Sequence, residues 1–302
     1  MRCVSFLELS ELPVAQQSRA GGKGSSLAVL TKHGFAVPPG LVILDEAFRE
    51  MLRESKIGKR VEEVLAAHAL PDLEAVSREL QELVLEAPFP TSLESELQTA
   101  FESLDVPFVA VRSSASVEDG HTLAWAGLFE SYLNCSRHEF LPALKKCWAS
   151  LYSVRTLSYA REHEVDFSDV SMAVVVQSMV ASEVAGTAFS RHPVTKDGDQ
   201  VVLEAAFGLG EAVVSGAVTP DQFIFSKSMA ALVDTKISMK ERMLFRGDDG
   251  QNEWRYLMRV RLLPDITAGL VDFQFISDIP NSVVGMARLV LKSCRLIISP
   301  TG

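Results

Sequence analysis

Lys23 and Arg112 are the residues of this sequence whose surroundings best suit the binding of a phosphate group. Lys23 lies in the segment AGGKGSS, where Gly22 allows backbone amides to approach phosphate oxygens and the ammonium supplies a positive charge. Arg112 ends the apolar run of VAVRSSAS, so its planar guanidinium and the serines after it could contact the same group. Taken alone, GGKG is more often an ordinary loop, and Arg112 could instead pair with Glu118 or Asp119.

Four further residues suit the base and the sugar of a nucleotide. The apolar strand VVVQSMV ends in Gln177, Ser178 and Met179, and adenine commonly lies against such an extended segment, although the end of a core strand is the alternative. Glu204 precedes the turn FGLGE and could accept a hydrogen bond from a ribose hydroxyl, although many loop glutamates are only solvated. AGGKGSS does not complete a Walker motif and FGLGE does not complete a dinucleotide-binding motif, so these motifs do not identify the site.

Composition and charge exclude several classes of protein. The chain has 302 residues and a net charge of −10, which argues against a nucleic-acid partner because phosphate backbones require clustered Lys and Arg. Its four cysteines form no CxxC pair, as expected in a reducing compartment. No signal peptide is apparent, and Arg288, Lys292 and Arg295 interrupt the apolar residues 283–299. We therefore expect a cytoplasmic protein without a membrane partner.

The elements that must position the candidate residues change in character near residue 107. Before it, periodic apolar positions predict helices across 45–104, preceded by a glycine loop and a helix from Ser25 to a stop at Gly34. After it, the pattern predicts one helix over 139–163, a turn at Gly186, and strands over 107–115, 131–135, 171–180, 187–190, 200–207 and 222–226. The fold class is therefore α+β or α/β.

The order of these motifs resembles a known family. GGKG, PPG, VAVRSSASVEDG, AGLFESYLN, VVVQSMV, GTAFSRHPVT and FGLGEAVVSGAVTPDQF follow one another as in the N-terminal nucleotide-binding domain of the pyruvate-phosphate dikinase and phosphoenolpyruvate synthase family. The domain of rifampicin phosphotransferase is similar. The resemblance covers roughly residues 5–245.

The resemblance implies an α+β fold of the ATP-grasp type, in which two lobes hold ATP. It implies a first lobe with a helical insert over 1–170, a second lobe over 171–257, and an atypical tail over 258–302. By the same resemblance, Lys23 and Arg112 bind the phosphates. The remaining contacts implied are the loop through Gly127 and Ser131 over the phosphates, Gln177 to Val180 along adenine, and Glu204 near the nucleotide.

The implied function is an ATP-binding phosphotransferase with ATP and Mg²⁺ as cofactors. In the family, phosphate passes to a histidine on a separate domain, here on another chain, and then to pyruvate, a rifamycin or a glucan. Two departures stand out: Leu128 replaces a usual glutamine, and residues 258–302 lack segments like PQDIEW and QSRP, which hold metal and phosphate. A fragment, a truncated product or a changed reading frame would explain the tail. The alternative is therefore a non-catalytic nucleotide-binding protein.

Overall fold

The described part of the molecule forms two compact units. The computed structural model describes residues 5–67, 72–115, 129–163, 165, 170, 172–248 and 250–260. The chain passes from the first unit to the second between Met179 and Val180. Both helices and strands occur, as an α+β class requires.

The helices concentrate in the first unit and the strands occur in both. The helices within the described residues are α1 Gln17–Lys32, α2 Asp45–Glu54, α3 Gly58–Ala67, α4 Leu73–Glu86, α5 Thr91–Ser103, α6 Arg137–Ser150, α7 Val154–Glu162 and α8 Glu211–Val214. The strands within them are β1 Phe6–Glu8, β2 Gly40–Ile43, β3 Val109–Ala115, β4 Ser131–Cys135, β5 Met172–Ser178, β6 Val184–Phe189, β7 Gln200–Phe207, β8 Asp221–Ser226, β9 Ala231–Lys236, β10 Lys240–Arg246 and β11 Asn252–Val260.

The first unit is built on an antiparallel sheet of order β1-β2-β5-β3-β4. Side chains alternate between its two faces. One face carries the row Leu41, Val176 and Val111, which is fully buried in a core shared with the helices that follow β2. Trp148 of α6 is also fully buried there and stacks on Phe48 of α2 with ring centroids 5.1 Å apart. The other face packs against α1.

The expected boundary between lobes, after residue 170, differs from the division in the structure. β5 lies between β2 and β3, and Val175 pairs with Val42 on one side and with Arg112 on the other. These backbone hydrogen bonds make β5 a central strand of the first unit, which therefore extends to Met179. The tail over 258–302 lies almost wholly outside the described residues.

The second unit contains the antiparallel sheet β6-β7-β8-β9 and the hairpin β10-β11. Val201 and Leu203 pack with Phe223 and Phe225 on one face of this sheet. The turn expected at Gly186 is wrong, because Gly186 lies within β6. A Cβ atom there would lie 1.8 Å from the carbonyl oxygen of Glu204, so the strand spacing requires glycine at this position.

Two further features of the second unit bear on stability. Asp221 of β8 and Lys240 of β10 form an ion pair in which both side chains are fully buried, and Lys240 Nζ also donates to the Ser238 carbonyl at 2.9 Å. In contrast, every residue of the edge strand β9 is exposed.

Among the helices that the structure describes, none has the length and apolarity to cross a membrane.

Candidate phosphate and nucleotide site

The glycine segment is the break between two parts of α1 rather than a loop before a helix. Gly21 has φ 67° and ψ 174° inside an otherwise helical range. A Cβ atom on Gly21 would lie 2.1 Å from the Ser114 carbonyl oxygen, so only glycine allows this approach to β3. The expected helix start at Ser25 is therefore too late, because the second helical part begins at Gly22. The expected stop at Gly34 is confirmed, with φ 78°.

Ser114 fixes this break onto the sheet. Its fully buried hydroxyl donates to the Ala20 carbonyl at 2.7 Å and accepts from the Gly24 amide at 3.0 Å. The hydroxyl thus joins the end of the first helical part to the start of the second. Gly22 and Lys23 consequently lie in a helix start, where amides lack partners within the helix and favour an anion.

Arg112 lies on the same face of the sheet as Ser114, because residues two apart in a strand share a face. It pairs with Ser131 of β4 in the antiparallel register, so these two side chains are neighbours on that face. Its Nη1 atom donates to Gln177 Oε1 at 3.5 Å. Gln177 is only 5% exposed and its Nε2 donates to the Pro38 carbonyl at 3.1 Å, which orients the amide oxygen towards Arg112.

Lys23 is one of the charged residues that affect the pKa of the buried Cys147 thiol. Burial raises the pKa of the Cys147 thiol, Cys135 and Glu130 raise it further, and the positive charge of Lys23 opposes them. The thiol lies 3.6 Å from the carbonyl oxygen of Val111 and 3.8 Å from that of Glu130. These carbonyls immediately precede Arg112 and Ser131 in the sequence. The helix that carries Lys23, α1, also packs on β3, the strand of Arg112.

Two backbone amides of the segment predicted to hold adenine already donate hydrogen bonds within the protein. The Ser178 amide donates to the Pro39 carbonyl at 2.8 Å, and the Met179 amide donates to the Phe108 carbonyl at 3.0 Å. Both bonds fix the end of β5 in the first unit. A backbone donor for a base would therefore have to come from the next amide, that of Val180.

Glu204 belongs to the second unit, where it lies in a strand and not in a loop. The register places it between Thr187 of β6 and Gln222 of β8. Thr187 Oγ1 donates to one carboxylate oxygen at 3.4 Å, and Gln222 Nε2 donates to the other at 3.2 Å. The carboxylate is thus held at both oxygens on the face opposite the Phe223 cluster. Sequence reasoning missed both partners, because cross-strand pairing is not a local signal.

Several sequence predictions fall outside the described residues. These include Gly127 and Leu128 of the covering loop, and Glu118 and Asp119 as alternative partners of Arg112. Within the described residues, no group of three or more His, Cys, Asp or Glu side chains could hold a metal ion. The first unit thus places Arg112 beside Ser131 and Gln177, on the sheet face where Ser114 holds the helix start that contains Gly22 and Lys23.

The described residues thus form a domain of mixed α and β structure that carries a helix start and an arginine on one face of its sheet. A comparison with protein families agrees: residues 17–262 match the family described as pyruvate phosphate dikinase, AMP/ATP-binding domain. The chain therefore belongs to this family of AMP/ATP-binding domains, as its motifs predicted.

Curated relatives support the same assignment. The chain is 38% identical over 255 residues to the phosphoenolpyruvate synthase of Aeropyrum pernix, covering 81% of this chain and 31% of the relative. It is 35% identical to a probable phosphoenolpyruvate synthase of Methanocaldococcus jannaschii, covering 84% of this chain and 22% of the relative. It is 38% identical to the uncharacterized phosphotransferase YvkC of Bacillus subtilis, covering 69% of this chain and 24% of the relative. The chain thus spans less than a third of each relative's length.

Proposed function

We propose that the first unit binds the triphosphate of ATP where the second part of α1 begins. The observation that carries this proposal is the break at Gly21, which Ser114 fixes on the face of the sheet that also carries Arg112. Backbone amides at the helix start and the cations Lys23 and Arg112 would neutralise the phosphates. Ser131, opposite Arg112, would donate its hydroxyl to the same group, and Gly127 would belong to the covering loop.

For the rest of the nucleotide, we propose that adenine lies along Gln177, Ser178, Met179 and Val180. Because the amides of Ser178 and Met179 are already bonded, Val180 is the backbone donor in this proposal. Glu204 would accept a hydrogen bond from a ribose hydroxyl, with Thr187 and Gln222 holding its carboxylate in position. The whole domain would then have the ATP-grasp fold.

The proposed reaction is phosphoryl transfer from ATP to a histidine on a separate domain, and from there to an acceptor such as pyruvate. The chain's part in that reaction is to position the phosphates and to balance their charge. Mg²⁺ would bind with ATP and neutralise the β- and γ-phosphates, using phosphate oxygens and one or two carboxylates as ligands. The second candidate function is ATP binding without transfer.

Titration calorimetry with ATP, with and without Mg²⁺, tests the binding proposal. Each charge-assisted contact contributes about 1.5–3 kcal/mol, so Lys23→Ala and Arg112→Ala should each raise the dissociation constant at least about tenfold. Arg78→Ala is the matched control, because Arg78 is an exposed cation on α4, on the other side of the sheet.

Wild-type affinity in both site variants, or no heat of binding in the unmodified chain, would overturn the proposal. Labelled ATP then separates the two candidate functions. Release or transfer of labelled phosphate supports the phosphotransferase, and intact ATP in the presence of a histidine-bearing domain supports the non-catalytic alternative.

A further inference from the structure

A cavity of about 1060 Å³ lies in the first unit, away from the proposed phosphate site. Its described walls are the second half of α2, one side of α3, and Tyr152 with Val165 and Val170. α2 packs on the face of the sheet that carries the buried core, whereas Arg112 and Ser114 lie on the other face. Pockets for small ligands usually have volumes of about 300–1,000 Å³, so this cavity can hold one.

The floor of the cavity is apolar. Phe48 and Leu52 of α2, Val61 and Leu65 of α3, and Tyr152 line it. Phe48 is fixed by its stacking on the buried ring of Trp148, and Tyr152 is itself only 4% exposed. Such a floor gains free energy by covering the apolar body of a ligand.

The rim of the cavity is strongly cationic. It carries Arg49, Arg53, Lys56 and Lys59, and Glu62 is the one acidic residue among the described lining residues. The four cations are concentrated at one site in a chain whose net charge is −10. A cluster of one sign at a cavity with low-dielectric walls attracts counter-ions of the opposite sign.

Two of these cations form no ion pair in the part of the chain that the structure describes. Arg49 pairs with Asp45 at 3.3 Å and Arg53 with Glu54 at 3.3 Å. Lys56 and Lys59 form neither an ion pair nor a side-chain hydrogen bond with any described residue. They are the rim cations available to an anion.

The positions of both lysines go against local preference. Lys56 has φ 63°, in the left-handed region where glycine is favoured. Lys59 lies in the first turn of α3, which contains no acidic residue, although a helix start favours negative charge. A bound anion would offset the second of these effects, since it would interact with the lysine and the helix start together.

From this arrangement we infer a binding site for an organic anion that has one carboxylate or phosphate head and an apolar body. The head binds between Lys56, Lys59 and the start of α3, and the body covers Phe48 and Leu52. This site is separate from the ATP site and does not depend on the proposed function.

The test is calorimetric titration of the full chain with hexyl phosphate, hexanoate, hexan-1-ol and inorganic phosphate. Hexyl phosphate or hexanoate should bind one to one, and hexan-1-ol and inorganic phosphate should bind at least about tenfold more weakly, because each lacks one half of the proposed contacts. Whichever anion binds more tightly identifies the head group. Equal binding of hexan-1-ol, or no binding of either anion, overturns the inference.

Lys56→Gly tests the position of the head group without risk to the fold, because glycine suits the backbone at residue 56. We expect at least about tenfold weaker binding of the organic anion and an undiminished melting temperature. Lys196→Gly is the matched control, since Lys196 is an exposed lysine of the second unit with φ 60°. Unchanged affinity in Lys56→Gly, or equal loss in Lys196→Gly, contradicts the inference.

Arg112→Ala separates this cavity from the proposed ATP site. The organic anion should bind this variant as it binds the unmodified chain, whereas ATP should bind it more weakly. If the organic anion loses its affinity in Arg112→Ala and keeps it in Lys56→Gly, it occupies the phosphate site and the inference is wrong.

Discussion

Ser114 illustrates how much of the proposed phosphate site depends on one buried hydroxyl. The hydroxyl accepts from the Gly24 amide and donates to the Ala20 carbonyl across the break in α1. Because the residue is fully buried, no water can replace these bonds in the folded chain. The position of Lys23 thus depends on a residue that need not touch ATP.

Ser114→Ala should therefore reduce both stability and ATP affinity. Leaving a buried polar group without its partner costs about 1–3 kcal/mol, which thermal or urea unfolding measures directly. Ser150→Ala is the control, because the Ser150 hydroxyl is also buried but bonds to the Cys147 carbonyl within α6. An ATP affinity that falls equally in both variants would contradict a specific role for Ser114.

The buried thiols give a prediction about pH. Burial and, to a smaller extent, Glu139 raise the pKa of Cys135 to about 11, while Lys146 opposes them. The folded state therefore favours the neutral thiol of Cys135. The stability that this thiol contributes is complete below about pH 9, the ordinary pKa, and is lost as the pH rises towards 11. The free energy of unfolding should therefore fall over this range, and less so in Cys135→Ala. Equal pH profiles for the variant and the unmodified chain would contradict this.

The same burial should protect both thiols from alkylation. At pH 8, iodoacetamide should modify the peptides that contain Cys135 and Cys147 only after unfolding, because the thiolate is the reactive form. Peptide mass spectrometry measures this residue by residue. Modification in the native chain at the rate of an exposed cysteine would show that the two thiols are accessible.

At the scale of elements, α1 has one glycine within it and one just after its end that form a matched pair. Gly21 and Gly34 both have positive φ, but a Cβ atom on Gly21 meets the Ser114 backbone whereas one on Gly34 meets nothing within 4 Å. Gly34→Ala should therefore cost only the backbone strain, about 1 kcal/mol. Gly21→Ala adds a clash with backbone that cannot move aside, and it should cost more and weaken ATP binding. Equal melting temperatures for the two variants would show that the break in α1 adapts freely.

The elements also show which parts of the fold the sequence could predict. The helices α2 to α5 were predicted across 45–104, because their apolar residues recur at helical spacing and Pro71, Pro88 and Pro90 separate segments. The break between α6 and α7 was missed, since apolar residues continue through Leu151 and Tyr152. The sequence predicts a turn at Gly186, because the true role of this glycine, close approach to β7, depends on a residue far along the chain.

The candidate site, like the fold, could be predicted from the sequence only in part. The types of Lys23 and Arg112 suggested phosphate binding, and the order of motifs indicated the family that the comparisons confirmed. The break at Gly21, the bridging role of Ser114 and the partners of Glu204 could not be read locally, because each involves contact between separate elements. The assigned roles of the site residues stay predictions.

At the scale of the whole molecule, the division into two units predicts unfolding that is not a single transition. The buried pair of Asp221 and Lys240 belongs to the second unit. Lys240→Met leaves a buried carboxylate without its cation, which should destabilise that unit by about 3–5 kcal/mol. Calorimetry should show one transition moving and the other unchanged.

The double variant Lys240→Met with Asp221→Leu is the control for this prediction. It removes both charges, so it should recover much of the loss. A double variant as unstable as Lys240→Met alone would indicate that packing, and not the unpaired charge, causes the effect.

The exposed strand β9 has a consequence for self-association. Its position at the edge of the sheet offers backbone groups to another strand, and Leu232 and Val233 add apolar surface that is about 40% exposed. Asp234 and Lys236, near the end of the strand, place charges of both signs on that edge, which discourages the stacking of chains into fibrils. Those two charged residues thus help to keep concentrated solutions of this protein free of ordered aggregates, an effect that acts between molecules and not within one.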